Sequence, residues 1–102
     1  MTLFQKLVYE ATKRIPYGKV VTYQDIATMI GKPKAVRAVG NALHNNPTMI
    51  TVPCHRVVNS QGGLARNFGF KGLNGQKALL ENEGIIVSDF HVNLDVYRAF
   101  TL

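Results

Sequence analysis

Proline and glycine cut this chain into pieces no longer than a short helix, which limits the fold more than any other feature of the sequence. Pro16-Tyr17-Gly18, Gly31-Lys32-Pro33, Pro47, Gly62-Gly63 and Gly84 all fall between apolar stretches. Proline lacks a backbone donor and glycine admits left-handed turns, so regular structure stops at such points. Ahead of the first break, Thr2 and Gln5 form a capping box for Leu3, Leu7, Val8 and Ala11. That pattern predicts a helix running to about Arg14. Lys19-Val20-Val21-Thr22 reads as a short extended piece. Thr22, with Asp25 three positions on, caps a second helix that buries Ile26, Met29 and Ile30.

A third helix is predicted from Lys34 to about Asn45. It carries Val36, Val39 and Leu43 on one side and Lys34, Arg37, Asn41 and His44 elsewhere. Two helices joined by a tight glycine turn have the outline of a helix-turn-helix. Gly40 costs about 1 kcal/mol against alanine in a helix interior, which a close approach of another backbone would explain. Beyond Pro47, Met49 to Val52 should be extended and run into Pro53-Cys54-His55-Arg56-Val57-Val58. Asn59 to Gly63 is a turn and Leu64 to Gly72 a loop. A helix follows from about Leu73 to Glu83, stopped by Gly84, and Ile85–Val87 with Val92–Leu94 can pair as an edge hairpin. The fold expected is α+β and mostly helical: one small domain over residues 1–102 with a helix-turn-helix.

Twelve Lys+Arg against six Asp+Glu leave a formal charge of +6 on 102 residues. An excess of that size suits a polyanionic partner, nucleic acid before membrane, although a plain solubility charge would look the same. No apolar run approaches the roughly 18 residues of a membrane span, and the N-terminus has no signal-peptide pattern. A single cysteine excludes an internal disulfide, so a reducing cytoplasm or nucleoid is the expected setting. One cysteine and three scattered histidines do not build a closed zinc site, and neither metal nor cofactor is expected.

Cys54 is the residue with most chemical promise. A lone cysteine is usually a small buried hydrophobe, but here Pro53 fixes its backbone and His55 and Arg56 follow at once. A free thiol is only a few per cent thiolate at neutral pH, so a base or cation must help it. Adjacent residues of an extended chain point opposite ways, so a turn or a bridging water would be needed to join Cys54 to His55. Glu83 in a helix's last turn opposes the dipole and calls for a reason. Tyr23 and Arg37 on helices and Asn46 before Pro47 each have an ordinary structural reading as well.

Pro53-Cys54-His55-Arg56-Val57-Val58 resembles the acceptor-site signature of the O6-alkylguanine-DNA alkyltransferases, the methylated-DNA–protein-cysteine methyltransferases. Other blocks follow in the family's order. Ile15-Pro16-Tyr17-Gly18-Lys19-Val20 with Thr22-Tyr23 is similar to the opening of its helix-turn-helix, and Arg37-Ala38-Val39-Gly40-Asn41-Ala42 to its recognition helix. Asn45-Asn46-Pro47 resembles its hinge, and Leu79-Leu80 with Glu83-Gly84 the helix behind the acceptor. The resemblance implies that Cys54 accepts the alkyl group irreversibly, with His55 as a base acting through a water and Glu83 orienting it. It implies that Asn46 braces the hinge and that Tyr23 protonates the departing guanine. Arg37 would enter the DNA stack as the nucleotide is extruded, with Tyr23, Lys34, Asn41 and Arg56 as further DNA contacts. Val57 and Phe70 would belong to the base pocket, and the carbonyls of Cys54 and Val57 would accept from the guanine amine. The partner implied is double-stranded DNA containing O6-alkylguanine, met by a monomer.

The loop Asn67-Phe68-Gly69-Phe70-Lys71-Gly72 departs from the family's Tyr-(Ser/Ala)-Gly-Gly-like stretch at Phe70 and Lys71. The chain's length and the tail Val92 to Tyr97 look more like the alkyltransferase-like proteins, which bind alkylated guanine and have Trp in place of the acceptor. The alternative function is therefore a non-catalytic module that holds the lesion for other repair. A plain helix-turn-helix regulator is the third reading.

Overall fold

The computed structural model describes residues 1–46 and 51–99. The first capping box forms as expected, with Thr2 Oγ1 accepting from the Gln5 N–H and Gln5 Oε1 from the Thr2 N–H, and opens α1 (Leu3–Lys13). The face it buries differs from expectation. Val8, Tyr9, Ala11 and Thr12 turn inward, whereas Leu3 is 75% exposed and Leu7 37%. Phe4, Val8, Ala11 and Ile15 lie along one stripe, and it is this stripe that meets the next two helices.

β1 (Val21–Thr22) leads directly into α2 (Tyr23–Met29), whose N-terminus carries the second expected capping box, Thr22 with Asp25. Pro33 and Lys34 lie in a turn that the Ala35 N–H closes onto the Lys32 carbonyl at 2.9 Å. The third helix, α3 (Val36–His44), therefore starts two residues later than the sequence suggested, and Lys34 lies outside it. α1, α2 and α3 pack on one another around Val8, Ile26, Ala27, Val39 and Leu43.

Cys54–Arg56 forms a single 3-10 turn, followed by β2 (Val57–Val58), which pairs parallel with β1 so that Val21 faces Val57 and Thr22 faces Val58. This ribbon separates two small cores. Val21 and Val57 point to the α1–α3 side, and Val20 and Val58 point to the other, as the period of an extended chain requires. The extended run expected from Met49 falls partly outside the described residues, and Thr51 and Val52 form a turn and bend.

α4 (Gly72–Asn82) covers the second core with Leu80 and ends at Gly84, whose φ of +86° is the left-handed C′ conformation expected of it. β3 (Val87–Ser88) and β4 (His91–Val92) make the expected hairpin in a tighter register. Leu94, expected to be extended, instead begins the short helix α5 (Leu94–Tyr97), capped by Asn93. The chain then bridges Val20 through Arg98, and the Arg98 guanidinium pairs with Asp25 at the head of α2. The architecture is α+β and mostly helical. Among the described residues no helix is long and apolar enough to cross a membrane.

Candidate active site

The 3-10 turn supplies the geometry that an extended Cys-His pair would lack. Cys54 is 7% exposed, and its N–H donates to the Val52 carbonyl at 2.7 Å. Asn46, at the end of α3, donates from Nδ2 to the same carbonyl at 3.0 Å and hydrogen-bonds the Cys54 side chain. The Cys54 turn is thus tied by one amide to the stretch just after α3. Asn46 lies at the boundary of the described residues, and Pro47, its expected hinge partner, lies outside them.

His55 is buried beside Glu83, with Nε2 2.6 Å from Oε2. Arg56 Nε lies 3.0 Å from both Glu83 oxygens, and the Gly18 N–H donates to Oε1 at 2.8 Å. These donors give the carboxylate its reason for sitting at a helix C-terminus. They outweigh the burial that would otherwise raise it, and hold Glu83 below the usual carboxyl range. With Glu83 ionised, Nε2 of His55 carries the proton and Nδ1 is bare. Among the described residues Nδ1 has no hydrogen-bond partner. Burial keeps the imidazole below its ordinary pKa. Glu83 pulls the other way without prevailing, and Arg56 adds to the depression.

Cys54 forms part of the wall of a narrow cleft of about 30 Å3. Tyr23, Gly40, His44, Phe68, Gly69 and Gln76 line it with Cys54. A Cβ on Gly40 would lie 4.0 Å from the Tyr23 ring, so the neighbour of this helical glycine is an aromatic side chain and not the backbone expected. Burial raises the Tyr23 phenol, as does the charge of Cys54, and the same burial pushes the Cys54 thiol up, only partly offset by Asn46.

Two of the expected site residues are not among those lining the cleft with Cys54. Phe70, expected in the base pocket, is 44% exposed and lines a separate cavity of about 520 Å3 together with Tyr17, His55 and Glu83. Its neighbour Lys71 adopts φ +60°, which turns the chain out of the cleft just before α4. Phe68 and Gly69 stand at the cleft instead. Arg56, expected at the DNA, is taken up internally. Besides Glu83 it donates to the Ile15 carbonyl at 2.9 Å, and its guanidinium lies over the Tyr17 ring at 5.6 Å. Val57 is buried in β2, and its carbonyl already accepts from Gln76 at 3.1 Å, while the Cys54 carbonyl accepts from the Val57 N–H. Arg37 and Asn41 are exposed on one face of α3 with His44, and Lys34 is exposed in the turn before it.

The ionisable groups give stability a defined pH window. The unfolded chain binds a proton at a histidine near pH 6.5, where the depressed His55 of the folded state does not, so stability falls as pH drops below that point. Glu83 adds to the fall below about pH 4.3, as pH passes through its lowered folded value. An unfolded thiol ionises near pH 8.5, ahead of the raised Cys54, so stability also declines above that pH. Urea melts should find maximal stability between about pH 6.5 and 8.5. Stability still rising at pH 10 would contradict the burial of Cys54.

The chain matches the model of the family described as 6-O-methylguanine DNA methyltransferase, DNA binding domain, over residues 3–85. It is 51% identical over 79 residues to the inducible methylated-DNA–protein-cysteine methyltransferase of Bacillus subtilis, covering 78% of this chain and 42% of that protein. With the Methanosarcina acetivorans methylated-DNA–protein-cysteine methyltransferase it shares 51% identity over 84 residues, 81% of this chain and 52% of that one. The chain thus spans about half the length of these curated relatives. Among solved structures, S. pombe Atl1 in complex with damaged DNA containing O6-carboxymethylguanine superposes with a TM-score of 0.89. The two are 36% identical, and the match covers 99% of this chain and 100% of that one. The Mycobacterium tuberculosis O6-methylguanine methyltransferase superposes with a TM-score of 0.75 at 48% identity, over 81% of this chain and 49% of that one. Sequence and fold agree in these matches, and the chain belongs to the 6-O-methylguanine DNA methyltransferase family, through the part that forms its DNA-binding domain.

Proposed function

We propose that this chain binds duplex DNA through α2 and α3, takes an O6-alkylated guanine out of the stack, and accepts the alkyl group on Cys54. The observation that carries this reading is the single turn that holds Cys54 at the cleft wall and His55 on a buried, ionised Glu83. The thiol proton passes through a bridging water to His55 Nδ1, and the imidazolium is stabilised by Glu83. The sulfur attacks the alkyl carbon in line, an S–C bond forms, and the C–O6 bond breaks with its electron pair left on guanine. Tyr23, whose phenol is held protonated by burial, donates the proton that neutralises the leaving base. The thioether has no route back to thiol, so each molecule acts once.

The test is intact mass after incubation with duplex DNA containing O6-methylguanine. One added methyl, localised to Cys54 by peptide mapping, is the expected result. An unchanged mass after long exposure to saturating substrate would favour the second reading, a module that holds the alkylated base without transfer. Two observations favour that alternative: the burial that keeps Cys54 a thiol, and the reciprocal full-length match to Atl1 on damaged DNA.

The exposed face of α3 sets a further expectation. Affinity for duplex should fall with salt by roughly 0.9 in log–log slope for each phosphate neutralised. Arg37, which leads that face, should matter most where a base pair must open. Arg37→Ala is expected to weaken binding to alkylated duplex more than to the same lesion in a single strand. Equal losses on the two would reduce Arg37 to a phosphate contact.

A further inference from the structure

Gln76 is fully buried in the middle of α4, where a polar side chain costs stability unless its hydrogen bonds are met. All of its principal ones are met, and by three separate places in the backbone. Oε1 accepts from the Ala65 N–H at 2.7 Å, and Nε2 donates to the carbonyls of His55 and Val57 at 3.1 Å each. Ala65 opens the loop that carries Phe68 and Gly69, His55 belongs to the acceptor turn, and Val57 begins β2. The amide also stands in the cleft wall with Cys54. The next residue toward the helix start reinforces this, since a Cβ on Gly75 would lie 1.6 Å from the Phe70 carbonyl oxygen. The loop is thus pressed against α4 at one point and hydrogen-bonded to it at the next.

We propose that Gln76 is a positioning residue for the transfer reaction, fixing the loop of Phe68 and Gly69 and the acceptor turn at one spacing on α4. The inference rests on the transfer reading above, and it gives the cleft a single width, set from behind by one amide. Gln76 makes no hydrogen bond to α2 or α3, so its work is separable from the binding of undamaged duplex. A displacement of about 1 Å at a reacting centre costs on the order of 100-fold in rate, and loss of the amide frees the loop and the acceptor turn from α4.

Gln76→Leu and Gln76→Glu test this on the full chain. Glutamate keeps the acceptor for Ala65 but, ionised, has no donor for His55 and Val57; protonated, it regains one. Both variants are expected to slow methyl transfer to Cys54 by at least about 10-fold while affinity for undamaged duplex stays within about twofold. The deficit of Gln76→Glu relative to wild type should shrink as pH is lowered and the buried carboxyl protonates, a signature that simple loosening of the fold would not give. Transfer at the wild-type rate in both variants overturns the proposal. So does a loss matched by an equal loss on undamaged duplex, or a Gln76→Glu deficit that is flat in pH. If the wild type itself gains no methyl, the transfer reading fails. Preference for alkylated over undamaged duplex is then the quantity the same variants must lower, and an unchanged preference would overturn the positioning role as well.

Discussion

Cys54→Ala is expected to abolish alkyl uptake altogether while leaving binding to alkylated duplex within a few fold of wild type. The loss is total because the substitution removes the atom to which the new bond is made, not an auxiliary to it. Binding survives because Cys54 makes its backbone bond to Val52 through its N–H, which alanine keeps. Alanine also fills most of the volume of a residue only 7% exposed, so the core shared with Val52 and Phe68 closes around it. Cys54→Ser should be as inactive, since a hydroxyl is far less acidic than a thiol and stays protonated beside His55. A methyl found on the Cys54→Ala protein after exposure to O6-methylguanine duplex would place the acceptor elsewhere and end the proposal for this residue.

The second large effect is expected at Glu83. Its carboxylate receives His55, Arg56 and the Gly18 N–H at once, so Glu83→Gln disturbs three segments together. Removing one partner of a buried ion pair costs on the order of 3 kcal/mol, because Arg56 is left with an uncompensated charge. The chemical cost is separate. Without the anion, the imidazolium formed as His55 takes the thiol proton has no counter-charge, and the amide favours the wrong tautomer. Alkyl transfer should slow by roughly 100-fold, less than the losses known for a triad that turns over repeatedly, with duplex binding largely kept. His55→Ala should slow transfer at least as much, and the double variant little more, since groups acting as one unit are not additive. Single-turnover rates measured below the melting point of the weakest variant separate the two effects. If the losses multiply, Glu83 is structural and the relay is wrong.

The parts of this molecule that were legible in its sequence are those decided locally. Both capping boxes involve residues three apart, and both formed. Gly84 announced the end of α4, and Cys54, His55 and Glu83 stood out by chemical type. The errors came where a side chain's fate depends on distant partners. Leu3 and Leu7 had the right spacing for a core face, but α2 and α3 meet the adjacent stripe, so those leucines face solvent. Phe68 and Phe70 are two apart in a loop, and nothing local to the sequence distinguishes the one at the cleft from the one in the neighbouring cavity. Arg56 was expected at the DNA from the resemblance alone, and the carboxylate 27 positions on that binds it could not be foreseen from its neighbours. Gln76 gave no sign at all, since a glutamine in a helix is ordinarily solvated and its three partners lie 11 to 21 residues away.

Arg98 bridges Val20, 78 positions back, and is also held by Asp25, 73 positions back, which gives the molecule a defined mechanical load path. Tension applied at Ala99 is carried first by the Val20 carbonyl that its N–H binds, and by the cap of α2. In assembly the same clasp ties α2 to a segment 73 positions away, so its closure is slow relative to the helix it secures. α2 can therefore form early, and its N-terminus is clasped only when Arg98 closes onto Asp25.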